Sequence, residues 1–526
     1  MALISIIQDF HPLNNAKLLD TAEKLRPILH HQIVEPVGAF VLKDRYSPEA
    51  EEIEMHRVHH LAMGKGENLC LDFGTHLVGN VTLEFTYTGS HPDAPAYLKL
   101  KFAETYKELA ENSEDYSGWI SQSWIQEEYI HVDVLPAVVE LPRRHAFRYL
   151  KITTMDTSVK YKLVVRNAEC KTVTSADMRK LTPCTHPDTF LQKMDEISLR
   201  TLKNCMQDVF EDGPKRDQRL WMGDLRLQAL ANYCTFRNYE LVRRCLYLFA
   251  GSRFPDGRIA ACLFTKPTVE ADDTWLFDYS LFFVVALEEY MQQTNDEETL
   301  KDLYDIAMQQ IEITLRYLEF DGTIEKERAA NAFLDWNEEM DKSAGALAVL
   351  IYALRYARRL ARRKNDWSQS SWLDEQLERL KKVARTAYYD EERKCFVSGG
   401  EASIITQVWM VLADVLHPDE ARALMERSEE FFGCFPMKTP YMHHYYVSAL
   451  LRVGLREKAL AHMKAYWGSM MEAGADTFWE AWDPEHPDDS PYGGAIINSY
   501  CHAWSCTPTY LIRSWFTAEK HSDDHL

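Results

Sequence analysis

The stretch AGALAVLIYAL (Ala344–Leu354) sets Leu347, Leu350, Ile351 and Leu354 at three- and four-residue steps, the spacing of one helical stripe. The stretch LCLDFGTHLVGNVTLEFTYTG (Leu69–Gly89) instead alternates with a period of two and is rich in β-branched and aromatic residues. These two textures divide the chain. Up to about residue 175 the period of two continues through GAFVLKD, AYLKLKFAETY, EYIHVDV, FRYLKITTM and KYKLVVRNAEC, with Gly, Pro, Asn and Asp between the runs. Strands at this spacing, without helices between them, predict an antiparallel β-sandwich.

After roughly residue 185 the helical period takes over, and twelve helices are predicted: 187–209, 223–237, 238–251, 275–294, 297–319, 343–364, 370–389, 403–416, 417–428, 443–453, 455–471 and 496–516. Twelve helices supply six stacked hairpins, which close into an (α/α)6 barrel, or toroid. The long connections 252–274, 320–342 and 472–495 then gather at one mouth. A helical solenoid is the alternative, but no fixed repeat of roughly 34–45 residues is present. The expected organisation is multidomain β + α, with a sandwich over 1–180 and the barrel over 181–526.

The net charge of −21 repels phosphates and so argues against nucleic acid or an anionic membrane as partner. Eleven cysteines without a CxxC pair read as reduced and structural. The opening MALISIIQDFHPLNN lacks a basic n-region, and AGALAVLIYAL falls short of the roughly 20 residues a membrane span needs. The closing TAEKHSDDHL reads as a frayed polar tail. A cytoplasmic protein is expected, with a homodimer as its assembly.

The long connections share one chemistry, carboxylates beside tryptophans: EDGPKRDQRLWMGD, EADDTWLFDY, FLDWNEEMD and DTFWEAWDPEHPDD, followed by NSYCHAW. A single such pair has a structural explanation, a half-buried indole whose N–H bonds a carboxylate. Recurrence in four distant connections points to a pocket for a neutral sugar, with hydroxyls on the carboxylates and the ring's apolar face on the indoles. Asp273, Trp275 and Asp278 belong to this set, although aspartates there could equally cap the following helix. The paired histidines His30–His31, His59–His60 and His443–His444 cannot face one ion from one helix side, and HExxH is absent. With no phosphate cradle or dinucleotide fingerprint either, neither metal nor cofactor is expected.

On these residues the chain resembles the α-L-rhamnosidases of glycoside hydrolase family 78. LDFGTHLVGNVTLEF (Leu71–Phe85), LKFAETY (Leu100–Tyr106) and FRYLKI (Phe147–Ile152) look like that family's strand motifs. DGPKRDQRLWMGD (Asp212–Asp224) resembles its D-C-P-x-R-(D)-E-R-x-x-W-x-G-D segment. FLDW (Phe333–Trp336), GADTFWEAWD (Gly474–Asp483) and NSYCHAW resemble its G-D-W loop, its G-A-T-T-x-W-E-R-W-D segment and its S-x-N-H element. The resemblance implies an (α/α)6 enzyme releasing terminal α-L-rhamnose with inversion, by one general acid and one general base roughly 6.5–9.5 Å apart. It implies Glu480 as the base and, by position, Asp217 as the acid, with Asp224 the rival and an aspartate standing where the family has Glu. Asp212, Asp224 and Asp335 with Trp336 would hold the sugar, Arg216 would set the ionisation of the aspartates, and His502 would donate to a ring or leaving oxygen. Trp221, Trp479 and Trp275 would meet the C6 methyl. Short rhamnosides are the expected substrates: disaccharides, aryl glycosides or flavonoid glycosides. The alternatives are another (α/α)6 glycosidase or lyase, or a sugar-binding protein that has lost its acid.

Overall fold

The computed structural model describes residues 10–43, 49–487 and 489–517. Most of the N-terminal stretch read for a leader, and the tail beyond Thr517, lie outside the described residues. No described helix is long and apolar enough to cross a membrane.

The strand half is one nine-stranded sheet in which every pairing is antiparallel. Its spine is Asn68–Gly89, which pairs along its first part with Gly38–Leu42 and along its second with Ala137–Glu140 and Tyr161–Thr172. His145–Asp156 follows it along another edge, with a register break between Asp72 and Leu77. Gly74 sits in that break at φ +77°, a left-handed value that glycine adopts without a Cβ clash, and the strand bends there. Alternate residues Leu69, Leu71 and Phe73 pack on Leu100, Phe102 and Phe147 in a single apolar cluster. The strands expected from the period of two are present. They differ from two separate leaves in being hydrogen-bonded continuously through the spine.

The helical half separates by burial. Phe277–Thr294 is buried on every side from Phe277 to Met291, the signature of a helix enclosed by others. Trp367–Tyr388 buries only Ser370, Leu373, Leu377, Leu380 and Ala384, one stripe of an otherwise exposed cylinder. The enclosed helices meet in chain order: Met222–Tyr233, Phe277–Thr294, Ser343–Arg363, Ile404–Leu412 and Pro440–Arg452 each pack on the next. Residues 503–505 touch both the first and the last of them.

Eleven of the twelve predicted helices are found, with ends within a few residues of expectation. The twelfth, 496–516, is a correction. Only Pro508–Leu511 is α-helical there, flanked by short turns at Ala495–Ile497 and Ala503–Ser505 and a wide turn at Ile512–Phe516. Backbone donors in the middle of this segment are drawn to distant parts of the chain. His502 N–H goes to the Phe478 carbonyl at 2.9 Å, and Ala503 N–H to the Asp212 carbonyl at 2.6 Å.

A second difference concerns the boundary at 180. Leu13–Asn14 pairs with Ser252–Arg253, and the helix Ala16–Lys24 places Leu18 and Ala22 in the core of the helical half. This early segment therefore packs with the helices, against Tyr239–Gly251, instead of with the sheet.

Candidate functional site

The segment Glu211–Leu225 runs from the end of one helix, Thr189–Cys205, to the start of an enclosed one, Met222–Tyr233. Asp217 and Gln218 stand in succession at φ 65° and 53°, a left-handed pair that non-glycine residues rarely adopt and that tends to mark functional sites. The turn is held by the Gln218 amide, whose Nε2 donates to the Pro214 carbonyl at 2.9 Å. Further along, Gly223 lets Tyr279 approach: a Cβ there would lie 2.3 Å from the ring. Tyr279 in turn meets Trp221 edge-on at 6.4 Å.

Glu480 faces this segment. Its Oε2 is ion-paired with Arg216 Nη2, and its Oε1 accepts from Tyr492 Oη at 2.5 Å. The main chain is fixed as well: Trp504 Nε1 donates to the Glu480 carbonyl at 2.8 Å, and Glu480 N–H donates to Ser499 O at 3.0 Å. Burial alone pushes the Glu480 carboxyl up. Arg216, His502 and the Tyr492 hydroxyl together outweigh burial and hold it below the ordinary glutamate value. Arg216 also reaches Asp217, Nη1 to Oδ1 at 3.7 Å, and lies 4.0 Å over the Tyr492 ring. Its position between the two carboxylates links both halves of the site.

Asp212 and Asp224 are buried beside one another's charge. Burial raises both carboxyls. Asp217 and Asp224 add to the effect on Asp212, while His502 opposes it at Asp224. His502 Nε2 lies 3.2 Å from Asp224 Oδ1 without the alignment of a hydrogen bond. Several buried polar atoms here have no hydrogen-bond partner within the protein: Trp221 Nε1, Asp224 Oδ1, Arg216 Nε and both ring nitrogens of His502. Buried polar groups are nearly always paired, so a concentration of unpaired ones marks a place shaped for something else. Trp336, Tyr492 and Trp504 form an aromatic corner next to them, with Trp336 edge-on to both partners at 5.6 Å.

The chain resembles, over nearly its whole length, proteins of one kind. Residues 45–172 match the profile described as the glycosyl hydrolase family 78 alpha-rhamnosidase N-terminal domain. Residues 184–516 match that of the bacterial alpha-L-rhamnosidase 6 hairpin glycosidase domain. The chain belongs to glycoside hydrolase family 78. A solved rhamnosidase from Klebsiella oxytoca with rhamnose bound is 44% identical, with a TM-score of 0.93 over 96% of this chain and 100% of that one. An alpha-L-rhamnosidase of Streptomyces avermitilis is 24% identical across 82% of this chain, which spans only 40% of that longer protein. The family 78 rhamnosidase of Bacillus sp. GL1 shares the fold at 21% identity and a TM-score of 0.73, covering 88% of this chain and 49% of that one.

Within this family 78 chain, the sequence-predicted residues divide by what they touch. Asp212, Arg216, Asp217, Trp221, Asp224, Glu480 and His502 come together as described, and Trp336 joins them through Tyr492. Asp278 and Asp335 have other engagements. Both Asp278 oxygens accept backbone N–H groups, from Phe333 and Leu334 at 2.9 Å each. Asp335 accepts from Lys438 N–H at 2.7 Å, Thr439 Oγ1 at 2.8 Å and Trp336 N–H at 2.9 Å, and burial still pushes its carboxyl up to about 6. These two carboxylates brace the loop that carries Trp336. Trp275 packs on Tyr317 and under Arg258, and Trp479 packs edge-on to Trp482 and Tyr500. Asp273 is half-buried in the connection before Phe277. The sequence reading missed Tyr492, which lies in the apparently featureless PYGG, and Trp504, whose indole lies in NSYCHAW but was passed over beside His502.

Proposed function

We propose that the chain is an inverting glycosidase that removes terminal α-L-rhamnose from short rhamnosides, on a six-hairpin (α/α)6 toroid. The observation that carries this reading is the cluster of unpartnered buried polar atoms around an ionised, doubly tethered Glu480. A neutral sugar supplies the hydroxyl donors and acceptors those atoms want, and the Trp336–Tyr492–Trp504 corner offers an apolar wall for the C6 methyl. Glu480 acts as general base. A carboxylate has about four lone-pair sites, so its bonds to Arg216 and Tyr492 leave room to accept a proton from water. Water adds at C1 on the face opposite the departing group, the C1–O bond breaks, and the glycosidic oxygen takes a proton from an aspartic acid.

Two aspartates compete for that last role. The spacing in the motif assigns it to Asp217. A specific observation favours Asp224: it is buried, and burial raises its carboxyl, the direction a general acid needs. Asp212, by this reading, binds sugar hydroxyls, and Arg216 keeps Glu480 ionised. Short rhamnosides, aryl or flavonoid glycosides and disaccharides, are the proposed substrates. The test is hydrolysis of p-nitrophenyl α-L-rhamnoside followed by proton NMR of the first sugar released. β-L-rhamnose is expected; α-L-rhamnose as the initial product would overturn inversion, and no hydrolysis would overturn the activity.

A further inference from the structure

A buried polar chain runs from the strand half into both loops that hold Glu480. Glu104 Oε2 accepts from Tyr500 N–H at 2.7 Å, and Glu111 Oε2 accepts from Ile496 N–H at 2.8 Å. Between them, Glu108 Oε1 is ion-paired with Lys215 Nζ, which also donates to the carbonyls of Ile496 at 3.1 Å and Asn498 at 2.8 Å. Lys215 is 3% exposed and directly precedes Arg216. A buried ammonium is tolerated only when paired and hydrogen-bonded, so these partners fix where the main chain at 215 can lie. The strand half grips the Tyr492 loop too. Tyr116 Oη donates to the Tyr492 carbonyl at 2.9 Å, and a Cβ on Gly118 would come within 1.8 Å of that same oxygen.

Some contacts between the halves, such as Gln207 Nε2 to the Val173 carbonyl at 3.0 Å, end away from Glu480, while others, such as Trp119 Nε1 to the Pro491 carbonyl at 2.8 Å, end beside Tyr492. The Lys215 chain differs because Lys215 directly precedes Arg216, and its far end holds Asn498 and Tyr500, which flank the Ser499 whose carbonyl accepts from Glu480 N–H. We propose that Glu104, Glu108 and Lys215 are positioning residues that aim Arg216 at Glu480, making the strand domain a working part of the catalytic site. The inference rests on Glu480 being the base. The charged and titratable groups facing Lys215 are Glu104, at 3.8 Å, Glu108, and the Tyr500 ring at 5.7 Å, with His76 behind Glu104 at 2.9 Å. Those facing Glu480 are Arg216, His502 and Tyr492, with Asp217 and Asp224 acting beyond them.

The experiment is the pH profile of kcat for the full chain and for Glu108→Gln and Lys215→Met, with Glu480→Gln in parallel. A loosened Arg216 leaves burial to raise the Glu480 carboxyl, so the acid limb should move to higher pH. We expect that shift to be at least about half a unit, with kcat down roughly tenfold and KM within about twofold. Leu350→Ala, a cavity in the helical core, serves as a stability control that lowers Tm without moving the limb. If Lys215→Met does not fold, Glu111→Ala, which removes only the Ile496 anchor, should give a smaller shift in the same direction. An acid limb that stays in place in Glu108→Gln and Glu111→Ala, while Tm falls as in the control, overturns the positioning role alone. Glu480→Gln retaining more than about a tenth of kcat overturns the base assignment and the positioning role together.

Discussion

Tyr492 Oη lies 2.5 Å from Glu480 Oε1, and the same phenol ring lies 4.0 Å beneath the Arg216 guanidinium. One tyrosine thus holds the carboxylate and its counter-ion at once. A hydrogen bond to a charged acceptor contributes about 1.5–3 kcal/mol, so Tyr492→Phe should lower kcat/KM by roughly tenfold or more. Because that bond favours ionised Glu480, its loss should also carry the acid limb upward; an unchanged limb would show that the phenol only fills space.

Replacing Arg216 by Met tests the electrostatics more severely. With the guanidinium gone, burial dominates and the Glu480 carboxyl rises. A base is useful only when deprotonated, so activity should then fail at a higher pH as the solution is acidified. The pH dependence of kcat/KM at low substrate gives the measurement.

The two candidate acids separate by comparison. Asp217→Asn and Asp224→Asn should be assayed on p-nitrophenyl α-L-rhamnoside and on a rhamnosyl disaccharide. The true acid should cost about a hundredfold or more on the disaccharide, whose leaving group needs a proton. It should cost much less on the nitrophenyl glycoside, whose leaving group departs as a stable anion. The other aspartate should weaken both substrates alike.

Asp278→Asn addresses the loop brace. An amide offers one acceptor oxygen where the carboxylate offered two, so one of the Phe333 and Leu334 N–H groups loses its partner. An unpaired buried donor costs about 1–3 kcal/mol, and Leu334 already sits at φ 50°. Thermal unfolding should show a lower Tm, with KM raised because Trp336 is no longer held.

Gly223→Ala places a methyl 2.3 Å from the Tyr279 ring. Overpacking of this kind costs about 1–3 kcal/mol and would push Tyr279 away from Trp221. A drop in Tm, accompanied by a change in tryptophan fluorescence, should record both effects.

The two halves of the chain were legible because each has a period that burial enforces. Alternate residues of Leu69–Phe73 enter the sheet's core, and the stripe Leu347–Leu354 enters the helical one. The crowded segment Asp212–Asp224 stood out because its charges beside Trp221 have no place in an ordinary core, and the structure buries Asp212, Arg216 and Asp224 beside Glu480. What escaped was set by contacts distant in the chain. The last predicted helix has the right periodicity, yet its donors are drawn off to Phe478 and Asp212, which no local pattern announces. Asp278 and Asp335 read as sugar-gripping carboxylates because an aspartate beside a tryptophan looks the same whether it faces a hydroxyl or a backbone N–H. Tyr492 was invisible because its place depends on Gly118 and on Gly493, where a Cβ would lie 2.7 Å from the Gly118 Cα.

The packing of Ala16–Lys24 on Tyr239–Gly251 has a consequence for how the chain is made. A ribosome delivers the first helix with the whole sheet still to come, and its partner follows only after the sheet is complete. At about 5–20 residues per second that interval is on the order of tens of seconds. During it Leu18 and Ala22 lack the helical core they pack in, so the sheet is made before this helix finds its place. Assembly of the helical half is then the step that captures Leu18 and Ala22, tying completion of the helices to a segment made before the sheet.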